Sequence, residues 1–187
     1  EELLAIKKKY GATGDILEAE LRIQAIARDM VRHYLEHIFP NGFKAQVVCH
    51  SKLAAVRYQQ AIHQALADEV AAMRAKAEPD EEKIRRVEFL RAAVVISGDG
   101  TNEAAWVTEA RKQARAWNAV ENFCKPFDFD DPDKSHTGIA FLVVCDMLMT
   151  GFDAPIEQVM YLDKKIREHT LLQAIARTNR VKKGKQR

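Results

Sequence analysis

The chain has 187 residues, enough for one compact domain whose core needs no disulfide or metal to hold it together. Hydrophobic residues make up 47% and charged residues 30%, which is typical of a globular chain, and neither a membrane-spanning run nor a signal-peptide core is evident. The formal net charge of +2 is too small for a protein that coats nucleic acid, so any such contact must be local. We therefore expect a cytoplasmic globular domain.

Three cysteines occur along the chain, at Cys49, Cys124 and Cys145. The odd count and the absence of a Cys-x-x-Cys pair argue against a disulfide framework and against a zinc ribbon. Two of the three lie in apolar runs, where we expect cysteine to act as a small hydrophobe.

The first 40 residues predict a leading helical segment or linker. Asp15 and Glu18 are spaced as a capping pair, and apolar residues then recur every three or four positions. The same period predicts a second helix between Tyr58 and Met73 and a third between Trp106 and Val120, with both tryptophans in the buried stripe. His33 and His37 share a helix face without a third ligand nearby, so we expect surface histidines and no metal site.

Four short apolar segments bounded by turn residues predict strands. They hardly alternate between apolar and polar residues, which indicates strands buried on both faces of a parallel sheet. Strands that alternate with helices therefore predict an α/β fold, a parallel sheet with helices on both faces. The predicted strands are Ala45 to Cys49, Ala93 to Ser97, Ile139 to Cys145 and Val159 to Leu162.

Two polar stretches are predicted to be insertions: Ala77 to Arg86, which is rich in charge, and the loop from Asp128 to Lys134. The chain ends after a helix, where a wound sheet of this kind would continue. We therefore expect an excised fragment that is truncated at its C-terminus.

The last helix carries the strongest functional pattern. Gln173, Arg177 and Arg180 fall at i, i+4 and i+7, so they share one helix face and can direct donors at a polyanion such as a triphosphate. The residues alone leave other roles open: Gln173 can form a capping box with Thr170, and the arginines can make surface ion pairs with Asp153 or Asp163.

Two further segments follow strands, at the edge where open α/β sheets bind ligands. In the turn after the third strand, Thr150 offers a hydroxyl, Gly151 lets backbone amides approach a phosphate, and Asp153 can accept from a ribose hydroxyl. After the first strand, His50 and Ser51 form a corner where Ser51 can cap the next helix and a backbone phosphate can bind. A plain turn and a plain cap remain the simpler alternatives.

Together these three segments resemble motifs IV, V and VI of superfamily 2 helicases and translocases. Three sequences are similar to those of the motor subunit, subunit R, of type I restriction enzymes: Met-Thr-Gly-Phe-Asp-Ala-Pro, Tyr-Leu-Asp-Lys and Leu-Leu-Gln-Ala-Ile-Ala-Arg-Thr-Asn-Arg. The resemblance runs from about Ala45 to Arg180. It implies that residues 41–187 form the second RecA-like lobe of a motor.

The resemblance also implies roles for single residues. Arg177 and Arg180 correspond to the catalytic arginine fingers. Gln173, Gly151 and Asp153 correspond to residues that contact ATP, and His50, Ser51 and Thr150 correspond to residues at the nucleic acid.

The implied cofactor is ATP, with Mg²⁺ held mainly by an absent first RecA-like lobe, because the chain has no Gly-x-x-x-x-Gly-Lys-Ser or Thr loop. The implied partners are double-stranded DNA, that first lobe, and the methylation and specificity subunits of a restriction complex, with no membrane. The fragment alone is expected to be inactive.

Three alternatives stay open on the sequence. The chain can belong to another superfamily 2 motor, or it can be a DNA-binding module without ATP coupling. Asp133, Asp163 and Lys165 also imitate the acid, acid and lysine signature of a magnesium-dependent nuclease, although we expect both acids to be solvated.

Overall fold

Four parallel strands form one sheet in the computed structural model, which describes residues 19–98, 100, 104–130, 137–145 and 154–164. All four strands predicted from the sequence are present, with ends shifted by up to two residues. The strand Ile139–Val144 is buried along its whole length, as its continuous apolar run predicts, whereas the edge strand Glu157–Asp163 is mostly half-buried. The strands are β1 (Lys44–Cys49), β2 (Arg91–Val95), β3 (Ile139–Val144) and β4 (Glu157–Asp163).

The spatial order of the strands is β2-β3-β1-β4, so β3 and β1 are central. Phe141 of β3 pairs with Ala45 of β1, and Ala45 pairs on its other side with Val159 of β4. Because every pair is parallel, all four strands end at one edge of the sheet, which we call the carboxyl edge.

Helices fill the connections between the strands. The described part of the leading segment forms α1 (Glu20–His33), which continues as a π-helix over Tyr34–Ile38 and a short 3-10 turn over Phe39–Asn41. The α-helices are α1 (Glu20–His33), α2 (Lys52–Arg74), α3 (Glu81–Glu88), α4 (Ala105–Ala116) and α5 (Ala119–Cys124).

The core has two layers, one on each face of the sheet. On the first face, α1, α2 and α3 bury residues such as Ile23, Ile62 and Ile84 against β1 and β3. On the second face, Phe123 of α5 packs with Leu142 and other residues of the sheet. The fold is therefore α/β and RecA-like in character, as the sequence predicts. No helix among the described residues is long and apolar enough to cross a membrane.

The stretch from Ala77 to Arg86, predicted to be a charge-rich insertion, contains most of α3. Asp80 begins this helix, because its side chain accepts a hydrogen bond from the backbone N–H of Lys83 at 2.9 Å. Ile84 and Val87 are buried in the core, so two apolar residues anchor an otherwise charged helix.

The prediction of one helix from Trp106 to Val120 is also wrong. The chain breaks at Asn118, which adopts a left-handed conformation with φ 44°, and α4 and α5 are separate helices. Trp106 is not a core residue, since it is 38% exposed while the adjacent Val107 is buried; Trp117 is only half-buried. Trp106 is misassigned because α4 lies beside the edge strand β2 and buries a narrow stripe, whereas Trp117 packs against the core of the second face.

A buried charge fixes the amino end of the sheet. Lys44, at the start of β1, is fully buried, and its Nζ donates to the carbonyl oxygens of Asn122 at 3.1 Å and Thr137 at 3.2 Å. Its ammonium also lies 4.6 Å from the centre of the Phe127 ring, a favourable cation–π distance. The polar contacts that compensate this charge tie β1 to α5 and to the start of β3.

Gly138, just before β3, is a sensitive position in this tightly packed region. A Cβ atom there would lie 2.2 Å from the backbone oxygen of Phe89, which cannot move aside as a flexible side chain can. We expect Gly138→Ala to lower the free energy of unfolding by about 1–3 kcal/mol, measured by urea denaturation. Gly42→Asn is the control: Gly42 has φ +74°, open space around it and a conformation that asparagine tolerates, so this change should cost less. Equal losses in the two variants would contradict the close contact at Gly138.

Candidate functional site

The carboxyl edge brings together the polar residues that follow the strands. β1 ends at Cys49 and leads to His50 and Ser51, while β3 leads to Cys145. The thiol of Cys145 lies 3.8 Å from the carbonyl oxygen of His50, so the ends of the two central strands touch. Ligands of open α/β sheets bind at this edge.

Ser51 acts as the cap that the sequence predicts. Its backbone is extended and its hydroxyl accepts a hydrogen bond from the N–H of Ala54 at 3.1 Å, which begins α2. His50 beside it is exposed. The corner therefore presents an imidazole next to the N-terminus of a helix of 23 residues, where the helix dipole favours an anion.

Asp163, the last residue of β4, is the most strongly held acid at this edge. Arg22 of α1 donates to both of its carboxylate oxygens, at 2.7 and 2.6 Å, and the hydroxyl of Tyr58 on α2 donates at 2.7 Å. The Asp163 side chain is only 13% exposed. The expectation that this acid is solvated is therefore wrong, and we call these three residues the Asp163 cluster.

The contacts in this cluster set the charge state of Asp163. Burial by itself raises the pKa of the carboxyl, but the hydrogen bonds from Arg22 and Tyr58, together with the positive charge of Arg22, outweigh it. The pKa of Asp163 is consequently held below its ordinary value, and the acid is ionised at neutral pH. Burial, followed by the bond to Asp163, raises the pKa of Tyr58, which stays a neutral donor.

The cysteines at this edge are not suited to nucleophilic chemistry. Cys49 and Cys145 are buried, as predicted for small hydrophobes. Burial raises the pKa of the Cys49 thiol well above its ordinary value, and the negative charge of Asp163 adds to the effect. A buried neutral thiol is unreactive.

Most of the site residues predicted from the sequence lie outside the described residues. These are Thr150, Gly151, Asp153, Gln173, Arg177 and Arg180, and also Asp133 and Lys165 of the nuclease signature and the capping pair Asp15 and Glu18. Of the predicted site, the structure places only His50 and Ser51, which lie together at the carboxyl edge.

The described residues also bear on two alternatives. His33 and His37 are exposed, as expected, and their rings lie 5.0 Å apart. Nδ1 of His33 is 2.7 Å from the hydroxyl of Tyr161. In the described part of the chain, no group of three or more His, Cys, Asp or Glu residues is placed to hold a metal. Asp163, one acid of the nuclease signature, is occupied by Arg22 and Tyr58 instead.

Arg22 and Tyr58 were not identified from the sequence as site residues. In the sequence pattern, Tyr58 is one more apolar position of α2, and Arg22 is one of several charged residues of α1. The contact between Arg22 and Asp163 joins residues 141 positions apart, so no local spacing reveals it.

A four-stranded parallel sheet with helices on both faces and a polar carboxyl edge defines a RecA-like α/β domain. A family model described as type I restriction enzyme subunit R domain 3 matches residues 41–187. The chain belongs to this family, which confirms the resemblance noted in the sequence.

Curated relatives carry corresponding names. Two proteins of Methanocaldococcus jannaschii, named as putative type I restriction enzyme endonuclease subunits MjaIXP and MjaVIIP, are 29% and 30% identical over 97% and 94% of this chain. The type I restriction enzyme HindI endonuclease subunit of Haemophilus influenzae is 49% identical over 32% of this chain and 5% of its own length. This chain spans about 15% of each of the two archaeal relatives.

The Asp163 cluster predicts a pH-dependent stability. Because the folded pKa of Asp163 is below its ordinary value of 3.8, its contribution is present above that value and is lost as the pH falls through the folded pKa. At neutral pH we expect Asp163→Asn to lower the free energy of unfolding by about 1–3 kcal/mol, since three charge-assisted hydrogen bonds weaken or are lost. Urea denaturation between about pH 7 and pH 2 measures both effects.

The control for this experiment is Asp29→Asn, which changes an 81% exposed acid on α1 whose nearest arginine nitrogen is 3.9 Å away. The difference between wild type and Asp163→Asn should shrink at the acid end of the titration. A difference that stays constant down to the lowest pH would refute the assignment of an ionised, depressed carboxyl.

Proposed function

We propose that this chain is the second RecA-like motor lobe of an ATP-dependent translocase of double-stranded DNA, within the R subunit of a type I restriction enzyme. One observation carries the proposal. β3 and β4 end at the same edge as the His50–Ser51 corner, and the two segments that resemble motifs V and VI come after those strands in the chain, the second beginning seven residues beyond β4. The topology therefore starts all three motif segments from one edge.

In this proposal the arginines are the catalytic contribution of the lobe. Arg177 and Arg180 meet the charge that develops on the transferred phosphoryl group of ATP bound to the first lobe. Gln173, Gly151 and Asp153 bind and orient the nucleotide. ATP supplies the phosphoryl transfer whose free energy drives the motor, and Mg²⁺ is assigned mainly to the first lobe.

The DNA contacts are assigned to His50, Ser51 and Thr150. The exposed imidazole of His50 and the helix N-terminus at Ser51 are suited to a backbone phosphate, which is bound without reading the base sequence. The other partners that we propose are the first RecA-like lobe of the same subunit and the methylation and specificity subunits of the restriction complex.

The Asp163 cluster supports the assignment of the arginines in two ways. It fixes the end of β4 only seven residues before Thr170, where the segment with the arginines begins, so it can act as a positioning group for that segment. Asp163 is also already paired with Arg22, which argues against a plain surface ion pair of Arg177 or Arg180 with this acid.

The nuclease alternative receives no support from this geometry. A magnesium ligand needs free carboxylate oxygens, and both oxygens of Asp163 already accept hydrogen bonds from Arg22, one of them also from Tyr58.

The sharpest test of the motor is Arg180→Ala in the intact subunit. A finger acts mainly in the transition state, so we expect DNA-stimulated ATP turnover to fall by roughly 10³-fold or more while nucleotide affinity changes little. Arg180→Lys should fail as well, because an ammonium cannot reproduce the planar guanidinium fork. The measurement compares ATP turnover and nucleotide affinity side by side, with folding checked by thermal melting.

The matched control is Arg28→Ala, which removes an exposed arginine from α1 and should leave turnover unchanged. A folded Arg180→Ala subunit that keeps most of its turnover would falsify the finger assignment at this position.

A second test uses the isolated chain. We expect it to show no measurable ATPase activity with or without DNA, because it has arginine fingers but no phosphate-binding loop of its own. Steady-state phosphate release measures this, with buffer as the baseline. Robust turnover by this chain would show that it does not depend on a first lobe.

A further inference from the structure

A cavity of about 360 Å³ lies at the end of β2, on the carboxyl edge. Its walls include Ser97 and Gly98 from the end of the strand, and Arg111, Arg115 and Asn118 from α4 and the break that follows it. No residue assigned above to ATP or to DNA lines this cavity.

The polar lining of the cavity is basic. Arg111 and Arg115 are one helical turn apart and both reach the cavity, and none of the described residues that line it is acidic. Arg115 and Asn118 are exposed, so a ligand can approach from solvent. Glu121, the next acid after Asn118 in the chain, is not part of the lining; its carboxylate contacts Lys125 at 2.7 Å and accepts a hydrogen bond from Asn118.

Two guanidiniums next to a glycine and a serine hydroxyl are suited to a phosphate group. Guanidinium forks match the tetrahedral oxygens of phosphate, and the glycine lets an anion approach the backbone closely. The remaining lining is formed by small and aliphatic side chains, which carry no negative charge that would repel an anion.

The position of the cavity favours a phosphate that belongs to DNA. In the strand order β2-β3-β1-β4, the end of β2 is two strands from the end of β1, a distance of about 10 Å at the usual strand spacing of about 4.8 Å. A DNA strand advances about 3.4 Å per nucleotide along the axis. A strand whose phosphate binds at the His50–Ser51 corner therefore reaches the cavity within roughly three nucleotides.

We propose that this cavity binds a phosphodiester of the DNA backbone through Arg111 and Arg115, as a second contact on the same strand. The proposal rests on the proposed function only in taking duplex DNA as the polyanion. It extends the DNA-binding surface along the carboxyl edge to the sheet margin at β2, away from the end of β4.

The test measures binding of the intact subunit to a duplex without a recognition sequence, over salt concentrations from about 50 to 200 mM. Arg115→Gln should reduce the slope of log affinity against log salt by about 0.9, and Arg111→Gln with Arg115→Gln should reduce it further. If the wild type and the variant bind equally at 1 M salt, a slope change of 0.9 corresponds to about an eightfold lower affinity of the variant at 0.1 M salt. Arg115→Lys keeps the charge and should keep the slope.

The control is Arg28→Gln, which removes the same charge from an exposed position on α1, on the first face of the sheet. It should leave the slope unchanged, and thermal melting verifies that each variant folds. Affinity for a non-hydrolysable ATP analogue is measured in parallel and should not change in Arg115→Gln.

Three results would overturn the proposal: an unchanged slope in the folded double variant, an equal loss in Arg28→Gln, or a loss of nucleotide affinity with the DNA slope intact. The last result would assign the cavity to a nucleotide phosphate instead. These outcomes are distinct from failure of the motor, since Arg180→Ala tests ATP turnover and should leave the salt slope unchanged.

Discussion

The bidentate contact of Arg22 with Asp163, completed by the hydroxyl of Tyr58, is the interaction on which the geometry of the carboxyl edge depends. It ties three elements together, namely α1, α2 and the last strand of the sheet. The ion pair is partly buried, and such a pair adds little net stability compared with apolar packing but is costly to break, because the remaining charge stays in the protein. Its effect is therefore to allow only one position for the end of β4 relative to the helices of the first face.

The two edges of the sheet differ in packing and in exposure to solvent. At the amino end, the ammonium of Lys44 is stabilised by two carbonyl oxygens and the ring of Phe127. Gly138 lies so close to the backbone of Phe89 that a methyl group does not fit. Such packing makes this edge rigid. At the carboxyl end, polar groups reach solvent at His50 and Arg115. The closely packed amino end supports the opposite edge, where the Asp163 cluster fixes the end of β4 and other polar groups face solvent.

The sheet was predictable from the sequence because strands buried on both faces produce unbroken apolar runs such as β3. Elements at the margins were harder to predict. α3 was not predicted because six of its eight residues are charged, although its stability depends on the buried Ile84 and Val87. The apolar period of α4 predicts a helix but does not indicate that the helix lies beside an edge strand, with Trp106 exposed. The motif segments were recognisable by their local residue sequences. The Asp163 cluster was not, because it depends on contacts between residues that are far apart in the chain.

The strand order has a mechanical consequence for the proposed motor. The end of β2 and the end of β4 are three strand spacings apart, about 14 Å, with the two central strands between them. If the phosphate cavity holds DNA at one end while the segment after β4 meets ATP at the other, the sheet itself connects the two sites. A close-packed parallel sheet moves as a rigid body. Closure of the two lobes on ATP then moves the DNA contacts of this lobe as one unit, and coupling requires no flexible relay within the domain.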